Sequence, residues 1–131
     1  MILSRTLLAL VAATSLAVPV MAAPANPAPK TSTRTCFRAN DVENFSAPDD
    51  RTVYVRVNRK DVFRLELFSP CPDVDWAWEI ALESRGSSWI CSALDATVIT
   101  KTPIGPQKCQ VKKLTKLSAE ELAALPKRSR P

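Results

Sequence analysis

Apolar and polar residues alternate along residues 52–67, TVYVRVNRKDVFRLEL, with a period of two. This period is typical of β-strands with one buried face, so the segment predicts a hairpin of two strands. The apolar positions that should share the buried face are Val53, Val55, Val57, Phe63, Leu65 and Leu67. They share it only if the connecting loop has an odd number of residues, most simply residues 59–61. That register places Tyr54 opposite Glu66 on the other face.

A second hairpin is predicted farther along the chain. Trp78, Ile80 and Leu82 alternate with smaller or polar residues ahead of the turn SRGSS, and the segment SWICSA returns from that turn. Further strands are predicted at residues 96–100 and 110–114. The segment KTPIGPQK between them contains two prolines, which have no backbone N–H to donate to a neighbouring strand. We therefore expect no regular pairing there.

The last predicted element is a short helix. Ser118 and Glu121 have the spacing of a capping box, Leu122 and Leu125 form an apolar stripe, and Pro126 ends the element. The predicted fold is therefore mainly β (α+β). It is a small antiparallel sheet or partly open barrel of five or six strands with a short C-terminal helix.

The N-terminal residues predict export. Arg5 precedes an apolar run over residues 6–20, which closes on the small residues VMAA. This is the pattern of a secretory signal peptide, residues 1–23, cleaved near Ala22 or Ala23. The run is shorter than the roughly 20 residues that a spanning helix needs, so we expect no transmembrane segment. The predicted location is the periplasm or the exterior of the cell.

Composition divides the rest of the chain. Residues 24–35 are rich in proline and alanine and predict a disordered leader. The folded domain is predicted over residues 36–126, and a basic tail over residues 127–131. The formal net charge is +5, and part of the excess lies in the tail and at Lys112 and Lys113. We expect the tail to keep the protein soluble or to contact anionic surfaces weakly. Nucleic acid is not expected as a partner outside the cytoplasm.

The chain has four cysteines, Cys36, Cys71, Cys91 and Cys109, and no histidine. Structural zinc needs closely spaced ligand pairs, and a nucleophilic cysteine needs a base, usually histidine. An even number of cysteines in a small exported domain instead predicts two disulfides. Three pairings are open to four cysteines. The preferred pairing joins Cys71 to Cys91 and Cys36 to Cys109, because this ties the first hairpin to the second and the start of the domain to its last strand.

Four residues form a candidate ligand surface: Asp73, Asp75, Trp76 and Trp89. Two aspartates in a D-x-D pair suit Ca²⁺, yet no glycine-turned loop or distal glutamate completes such a site, so no metal is expected. Trp76, Trp78 and Trp89 with the nearby carboxylates also suit a shelf on which a sugar ring would stack. The alternative is that Trp78 and Trp89, and Trp76 with them, fill the core of a small sheet.

Several carboxylates raise the question of glycoside hydrolysis, which needs only a spaced acid pair. The candidates are Asp73, Asp75, Glu79, Glu83 and Asp95. A domain this small, with no long loops, offers little cleft to enclose a sugar. The sequence also lacks a nucleophile elbow, a phosphate loop and any histidine-based site. We therefore expect no enzymatic activity and no cofactor.

Several short segments together resemble a known family. They are CF at residue 36, DDRTVYVRV, DVFRLEL, PCPD, WICSALDA, IGPQKC and LSAEELAALP. In this combination the chain is similar to a family of small exported bacterial proteins with four cysteines, catalogued as a domain of unknown function. The resemblance spans nearly all of residues 36–126. It implies a protein of the bacterial envelope and supplies no activity, ligand or catalytic residue.

These observations predict a non-catalytic binding or structural module of the bacterial envelope. Its partner would be an envelope protein or a glycan. One alternative is an inhibitor of an envelope hydrolase, which would dock a rigid loop such as SPCPDVDW or KTPIGPQK. Another is a carbohydrate-binding protein that uses Trp76 and Trp89.

Overall fold

The computed structural model describes residues 36–131, which form eight β-strands and one short α-helix. The strands are β1 (Phe37–Arg38), β2 (Val42–Asp49), β3 (Thr52–Val57), β4 (Asp61–Leu67), β5 (Ile80–Ser84), β6 (Trp89–Ile90), β7 (Ala96–Thr102) and β8 (Gly105–Lys116). Helix α1 spans Ala119–Ala124, and short 3₁₀ turns span Ala39–Asp41, Ala93–Asp95 and Lys127–Ser129. The predicted signal peptide and leader lie outside the described residues.

Six strands form one antiparallel sheet in the order β2-β3-β4-β8-β7-β5, curled into a half-barrel. The predicted fold class, mainly β with a short helix and two disulfides, is confirmed. Strand β8 joins the two halves of the sheet, because its C-terminal part pairs with β4 and its N-terminal part with β7. The register of β4 and β8 shifts between Glu66 and Leu67, where Lys112 is the extra residue on β8. Bulges of this kind bend a strand and increase its twist, which helps the sheet to curl.

In the first hairpin the apolar side chains share one face, as predicted, but the residues that lie opposite each other differ from the prediction. Val53 lies opposite Leu65 and Val55 opposite Phe63, so both apolar rows share a buried face. The loop is residues 58–60, one position earlier than predicted, and Tyr54 lies opposite Arg64 rather than Glu66. The reason is local: Asn58 and Arg59 take φ angles of 49° and 63°. They are the two central residues of the turn from Val57 to Lys60, in which the Lys60 N–H donates to the Val57 carbonyl oxygen at 3.2 Å. Positive φ at both of these positions is typical of a type I′ turn, and asparagine tolerates it well.

The predicted second hairpin is wrong in its pairing. Strand β5 pairs with β7, with Ile80 opposite Thr100, whereas β6 pairs with β1 in a separate two-stranded sheet. Strand β2 was not predicted, and its pairing with β3 is interrupted by two register shifts. Alternation along a strand indicates which face is buried, but it carries no information about which strand will be the neighbour.

The strands predicted at residues 96–100 and 110–114 are present and longer than expected. A two-residue turn joins them, since Thr102 lies opposite Gly105, and Lys101 lies opposite Pro106. The expectation that the prolines prevent pairing is therefore wrong. Residues 105–110 pair with β7 on one edge only, so the missing N–H of Pro106 need not interrupt a ladder on both sides.

The core lies between the concave face of the half-barrel and the two-stranded sheet. In that sheet Phe37 lies opposite Ile90, and both side chains are buried. The ring centroids of Phe37 and Phe63 are 4.5 Å apart. The other buried apolar members of this cluster are Val53, Val55, Val57, Leu65, Leu67, Val74, Ala96, Val98 and Val111, with Cys71 and Cys109 among them.

The two disulfides join Cys36 to Cys91 and Cys71 to Cys109, so the preferred pairing was wrong. Cys36 precedes β1 and Cys91 follows β6, and the β1–β6 register places them opposite each other. Cys71 lies beside Cys109 because β4 pairs with β8 and the chain continues along β8 past the end of β4. Each disulfide follows from a pairing of strands, β1 with β6 or β4 with β8, that the sequence did not reveal.

Helix α1 begins as predicted, with the Ser118 hydroxyl accepting from the Glu121 N–H and the Glu121 carboxylate accepting from the Ser118 N–H. Residues 127–131, predicted as a tail, pack against β2. Ser129 and Pro131 are buried, and the Ser46 hydroxyl donates to the Ser129 carbonyl oxygen at 2.6 Å. Within residues 36–131, no helix has the length and apolar character needed to cross a bilayer.

Candidate functional site

The connection between β4 and β5 is the segment FSPCPDVDWAWE, residues 68–79, here called the aromatic loop. Two of its side chains point into the core. Cys71 is completely buried and bonded to Cys109, and Val74 is 1% exposed. The loop is therefore anchored at two points by apolar burial and a covalent bond.

Three hydrogen bonds, two of them between backbone groups, hold the first part of the loop to a turn and two strands. The Cys71 N–H donates to the Asp50 carbonyl oxygen at 2.7 Å, and the Phe68 N–H donates to the Gln110 carbonyl oxygen at 3.1 Å. The Thr100 hydroxyl, which is buried, donates to the Pro72 carbonyl oxygen at 3.2 Å. These contacts fix the loop against the β2–β3 turn, β8 and β7.

The loop is also structured within itself by a series of turns. The Val74 N–H donates to the Cys71 carbonyl oxygen at 3.4 Å, with Pro72 and Asp73 between them. Asp73 has a φ of 61°. Proline followed by a residue of positive φ is the pattern of a type II turn, and aspartate is among the few non-glycine residues that tolerate this conformation. A second turn follows, in which the Trp76 N–H donates to the Asp73 carbonyl oxygen at 3.2 Å.

The anchored loop turns two indoles outward. Trp76 is 80% exposed and Trp78 is 100% exposed. The interpretation of Trp78 and Trp89 as core residues is wrong, because Trp89 is also exposed, at 47%. Trp78 alternates in step with the inward-facing Ile80 and Leu82 of β5. The pairing of β5 with β7 begins only at Ile80, so Trp78 lies beyond the end of the sheet.

A third apolar side chain lies at the same end of the strands. Ile104, 88% exposed, occupies the β7–β8 turn between Pro103 and Gly105. Strand β5 begins opposite Thr100, near the end of β7, so Trp78 and the β7–β8 turn lie at one end of the sheet. We call Trp76, Trp78 and Ile104 the aromatic end.

The structure brings together only part of the predicted ligand surface. Asp73, Asp75 and Trp76 share the aromatic loop, and all three are exposed. Trp89 belongs to the other sheet, where the Arg38 guanidinium carbon lies 5.4 Å from the centre of its ring. Within residues 36–131, neither Asp73 nor Asp75 makes an ion pair or a side-chain hydrogen bond.

Sequence reasoning missed Ile104 as a surface residue, and it preferred the core over the surface for Trp78. Trp78 was assigned to the core because its parity matches Ile80 and Leu82. The signal that could have found it is the surrounding PCPDVDW, since turn-forming residues up to Trp76 place the start of the strand later. For Ile104 the signal is its position between a proline and a glycine, which is typical of a tight turn.

The other carboxylates suggested for hydrolysis are engaged elsewhere. Glu79 pairs with Lys101 at 3.2 Å and Glu83 pairs with Lys108 at 2.7 Å on the outer face of the sheet. Asp95 accepts from the Ser92 and Cys91 N–H groups, and its hydrogen bonds with Ser92 hold the pKa of its carboxyl below the ordinary value. A general acid needs a raised pKa, so Asp95 is perturbed in the opposite direction.

An open hollow of about 310 Å³ lies on the outer face of β5, β7 and β8. Its lining residues are Glu83, Ser84, Arg85, Thr97, Lys108 and Gln110. They already bond to one another: Arg85 and Thr97 both donate to the Gln110 side-chain oxygen, and Lys108 pairs with Glu83. Over the described part of the chain, no group of three or more cysteines and carboxylates converges as a metal site would.

The half-barrel, the two disulfides and the anchored loop define a small disulfide-braced β domain that displays aromatic side chains at one end of its sheet. The chain belongs to a family of unknown function, DUF6491, whose model matches residues 2–131. No curated protein and no solved structure matches the chain significantly.

Proposed function

We propose that this protein is an exported, non-catalytic binding module of the bacterial envelope, and that its aromatic end is the binding surface. Export is supported by the use of all four cysteines in disulfides, which persist in oxidising compartments and are rare in the cytosol. The predicted signal peptide, residues 1–23, agrees with that compartment.

The main observation behind the proposal is that the aromatic loop combines buried anchoring side chains with exposed aromatic ones. Cys71 and Val74 are buried and hold the loop in place, while Trp78 is fully exposed. Tryptophan is enriched at the energetic centres of protein interfaces, because a large rigid side chain buries much area at low entropic cost. A loop that is already ordered loses little further freedom when a partner covers it.

The geometry also supports the inhibitor hypothesis as one form of this function. The loop SPCPDVDW and the turn within KTPIGPQK were each suggested as a docking element, and they expose Trp76 and Ile104 respectively. A hydrolase or another envelope protein could be engaged by both at once. Two ordered docking elements at one end of a small domain suit this purpose.

Carbohydrate binding is the second candidate, with a change of residues. Trp76 and Trp78 would stack against a sugar, and Asp73 and Asp75 would accept hydrogen bonds from its hydroxyls. Trp89, suggested as the partner of Trp76, is less suited because the Arg38 guanidinium already lies against its ring.

Quantitative capture from native envelope extract tests the proposal. The double variant Trp76→Ala/Trp78→Ala should lose the proteins or glycans that the parent retains. Trp89→Ala removes an exposed indole from the other sheet and should retain them. Equal retention by all three proteins would show that the aromatic end is not the binding surface.

A further inference from the structure

We infer that the ligand of the aromatic end is a cationic protein segment, whose arginine or lysine side chains stack on Trp76 and Trp78 and pair with Asp73 and Asp75. This inference rests on the proposed function and specifies the chemistry of the partner. It follows from the local charge, from the chemistry of indole faces and from the shape of the surface.

The aromatic loop differs in charge from the rest of the chain. It contains three carboxylates and no basic residue, whereas the whole sequence has a net charge of +5. Glu79 is neutralised by Lys101 at 3.2 Å, which leaves Asp73 and Asp75 to set the potential of the loop. At the β2–β3 turn that holds Cys71, the opposite charges of Asp50 and Arg51 offset each other. The surface around the indoles therefore attracts cations and repels anions.

Indole faces favour the same sign of ligand. The ring carries negative potential on its face, and tryptophan is the strongest of the aromatic residues in binding cations. Such a pair already occurs within residues 36–131, since Arg38 lies over Trp89 with 5.4 Å between guanidinium carbon and ring centre. Trp76 and Trp78 have no such cation within residues 36–131, so they are open to one from a partner.

The shape of the surface favours a protein segment over a small free cation. Trp76, Trp78 and Ile104 project from a loop and a turn at one end of the sheet, and they line no enclosed cavity within the described residues. Ile104 adds aliphatic area that a small cation cannot cover. A segment with both basic and aliphatic side chains covers the indoles, the carboxylates and Ile104 together.

Titration with capped hexa-arginine, followed by tryptophan fluorescence and calorimetry, tests the inference. Hexa-arginine should bind despite the net positive charge of the protein, and capped hexa-glutamate should not. Trp76→Ala/Trp78→Ala should weaken binding by about 5- to 25-fold, from two cation–π contacts. Asp73→Asn/Asp75→Asn should weaken it by about 3- to 10-fold, and raising the salt to about 0.3 M should weaken it further.

Two control variants separate local from general effects. Trp89→Ala removes an indole from the other sheet, and Glu43→Gln removes an exposed carboxylate from β2. Both should bind hexa-arginine like the parent. Thermal melting of every variant confirms that the exposed substitutions leave the fold intact.

Three outcomes would overturn the inference. Binding of hexa-arginine that is unchanged by Trp76→Ala/Trp78→Ala would show only general electrostatic attraction. Binding of chitotriose but not hexa-arginine would identify a glycan surface, and the proposed function would stand with another ligand. Failure of every probe would remove the cationic partner, while capture from envelope extract would still decide whether the aromatic end binds anything.

Discussion

The aromatic loop and the C-terminal segment, residues 126–131, show opposite relations between composition and burial. The loop contains two tryptophans and exposes both, whereas the segment PKRSRP is basic and buries Ser129 and Pro131. Composition predicts the reverse arrangement in each case. Burial in a domain this small depends on where a few anchoring contacts fall, and an average over residue types does not reveal them.

The anchors of the two regions differ in kind. The loop has a buried disulfide and the buried Val74 in addition to its hydrogen bonds with the neighbouring strands, so covalent and apolar contacts help to hold it. The segment is held by polar contacts: Ser46 donates to the Ser129 carbonyl oxygen, and the Arg130 guanidinium donates to the carbonyl oxygens of Leu125 and Ala123 at 2.9 and 2.6 Å. Arg130 thereby satisfies carbonyl groups at the C-terminal end of α1 that have no partner within the helix.

The largest predicted effect concerns the disulfide of the loop. Cys71→Ala/Cys109→Ala should lower the free energy of unfolding by about 4 kcal/mol or more, because it removes a crosslink and leaves space in the core. Cys36→Ala/Cys91→Ala, which removes the exposed bridge, should cost about 2 to 3 kcal/mol. Urea denaturation of both variants measures the difference.

Loop-closure entropy alone predicts the opposite order for these two variants. The sequence separations are 55 residues for Cys36–Cys91 and 38 for Cys71–Cys109. On this ground alone, removal of the exposed bridge would cost about 0.3 kcal/mol more stability than removal of the buried one. A greater loss on removing Cys36–Cys91 would contradict the view that burial dominates.

The second prediction separates the two faces of the aromatic loop. Val74→Ala should cost about 2 kcal/mol, because it opens a cavity at a buried site. Trp78→Ala removes a far larger side chain and should change the stability by no more than about 0.5 kcal/mol, because that side chain is already in water. Chemical denaturation of the two variants gives both values, and equal losses would mean that Trp78 is packed in solution.

The third prediction concerns the polar anchors of the C-terminal segment. Arg130→Ala should cost about 1 to 2 kcal/mol, because it removes two charge-assisted hydrogen bonds to helix carbonyls. The Ser129 amide, which donates to the Pro126 carbonyl oxygen, should exchange with deuterium faster in this variant. Lys127→Ala is the control, and identical exchange in both variants would show that Arg130 does not hold the segment.

The smallest predicted effect is at Asp73, where the loop needs a positive φ. Asp73→Gly should leave the melting temperature close to that of the parent, because glycine adopts this conformation freely. Asp73→Val should lower the stability by about 1 to 2 kcal/mol, because β-branched residues are strained there. Equal stability of the two variants would argue against the type II turn.

Local features of the fold were predictable, and long-range ones were not. The Ser118 capping box and the shared face of Val53 and Leu65 depend on neighbours in sequence or on strand parity, which the sequence displays. The pairing of β5 with β7 depends on which strands meet after collapse, and no local period encodes that choice. The disulfide pairing failed for the same reason, because each cysteine finds its partner through strand neighbours.

Only part of the candidate site was predicted from the sequence, for a related reason. Asp73, Asp75 and Trp76 lie within one short segment, so their proximity was visible in the sequence. Trp78 was misplaced because Ile80 and Leu82, which follow it at alternate positions, do face inward. Alternation does not indicate where a strand begins. Ile104 joins the surface through the β7–β8 turn, which is distant in sequence from the aromatic loop.

The position of β8 determines the order in which this domain can assemble. It is the only strand, among those described, that pairs with both β4 and β7, and it comes last of the eight in the chain. In a chain that is synthesised from its N-terminus, the edge of β7 therefore stays unpaired until residues 105–110 have appeared, and the edge of β4 until residues 111–116 have appeared. Oxidation can join Cys36 to Cys91 before β8 appears, whereas the bond between Cys71 and Cys109 must wait for the first half of β8, so the aromatic loop becomes rigid later than the two-stranded sheet.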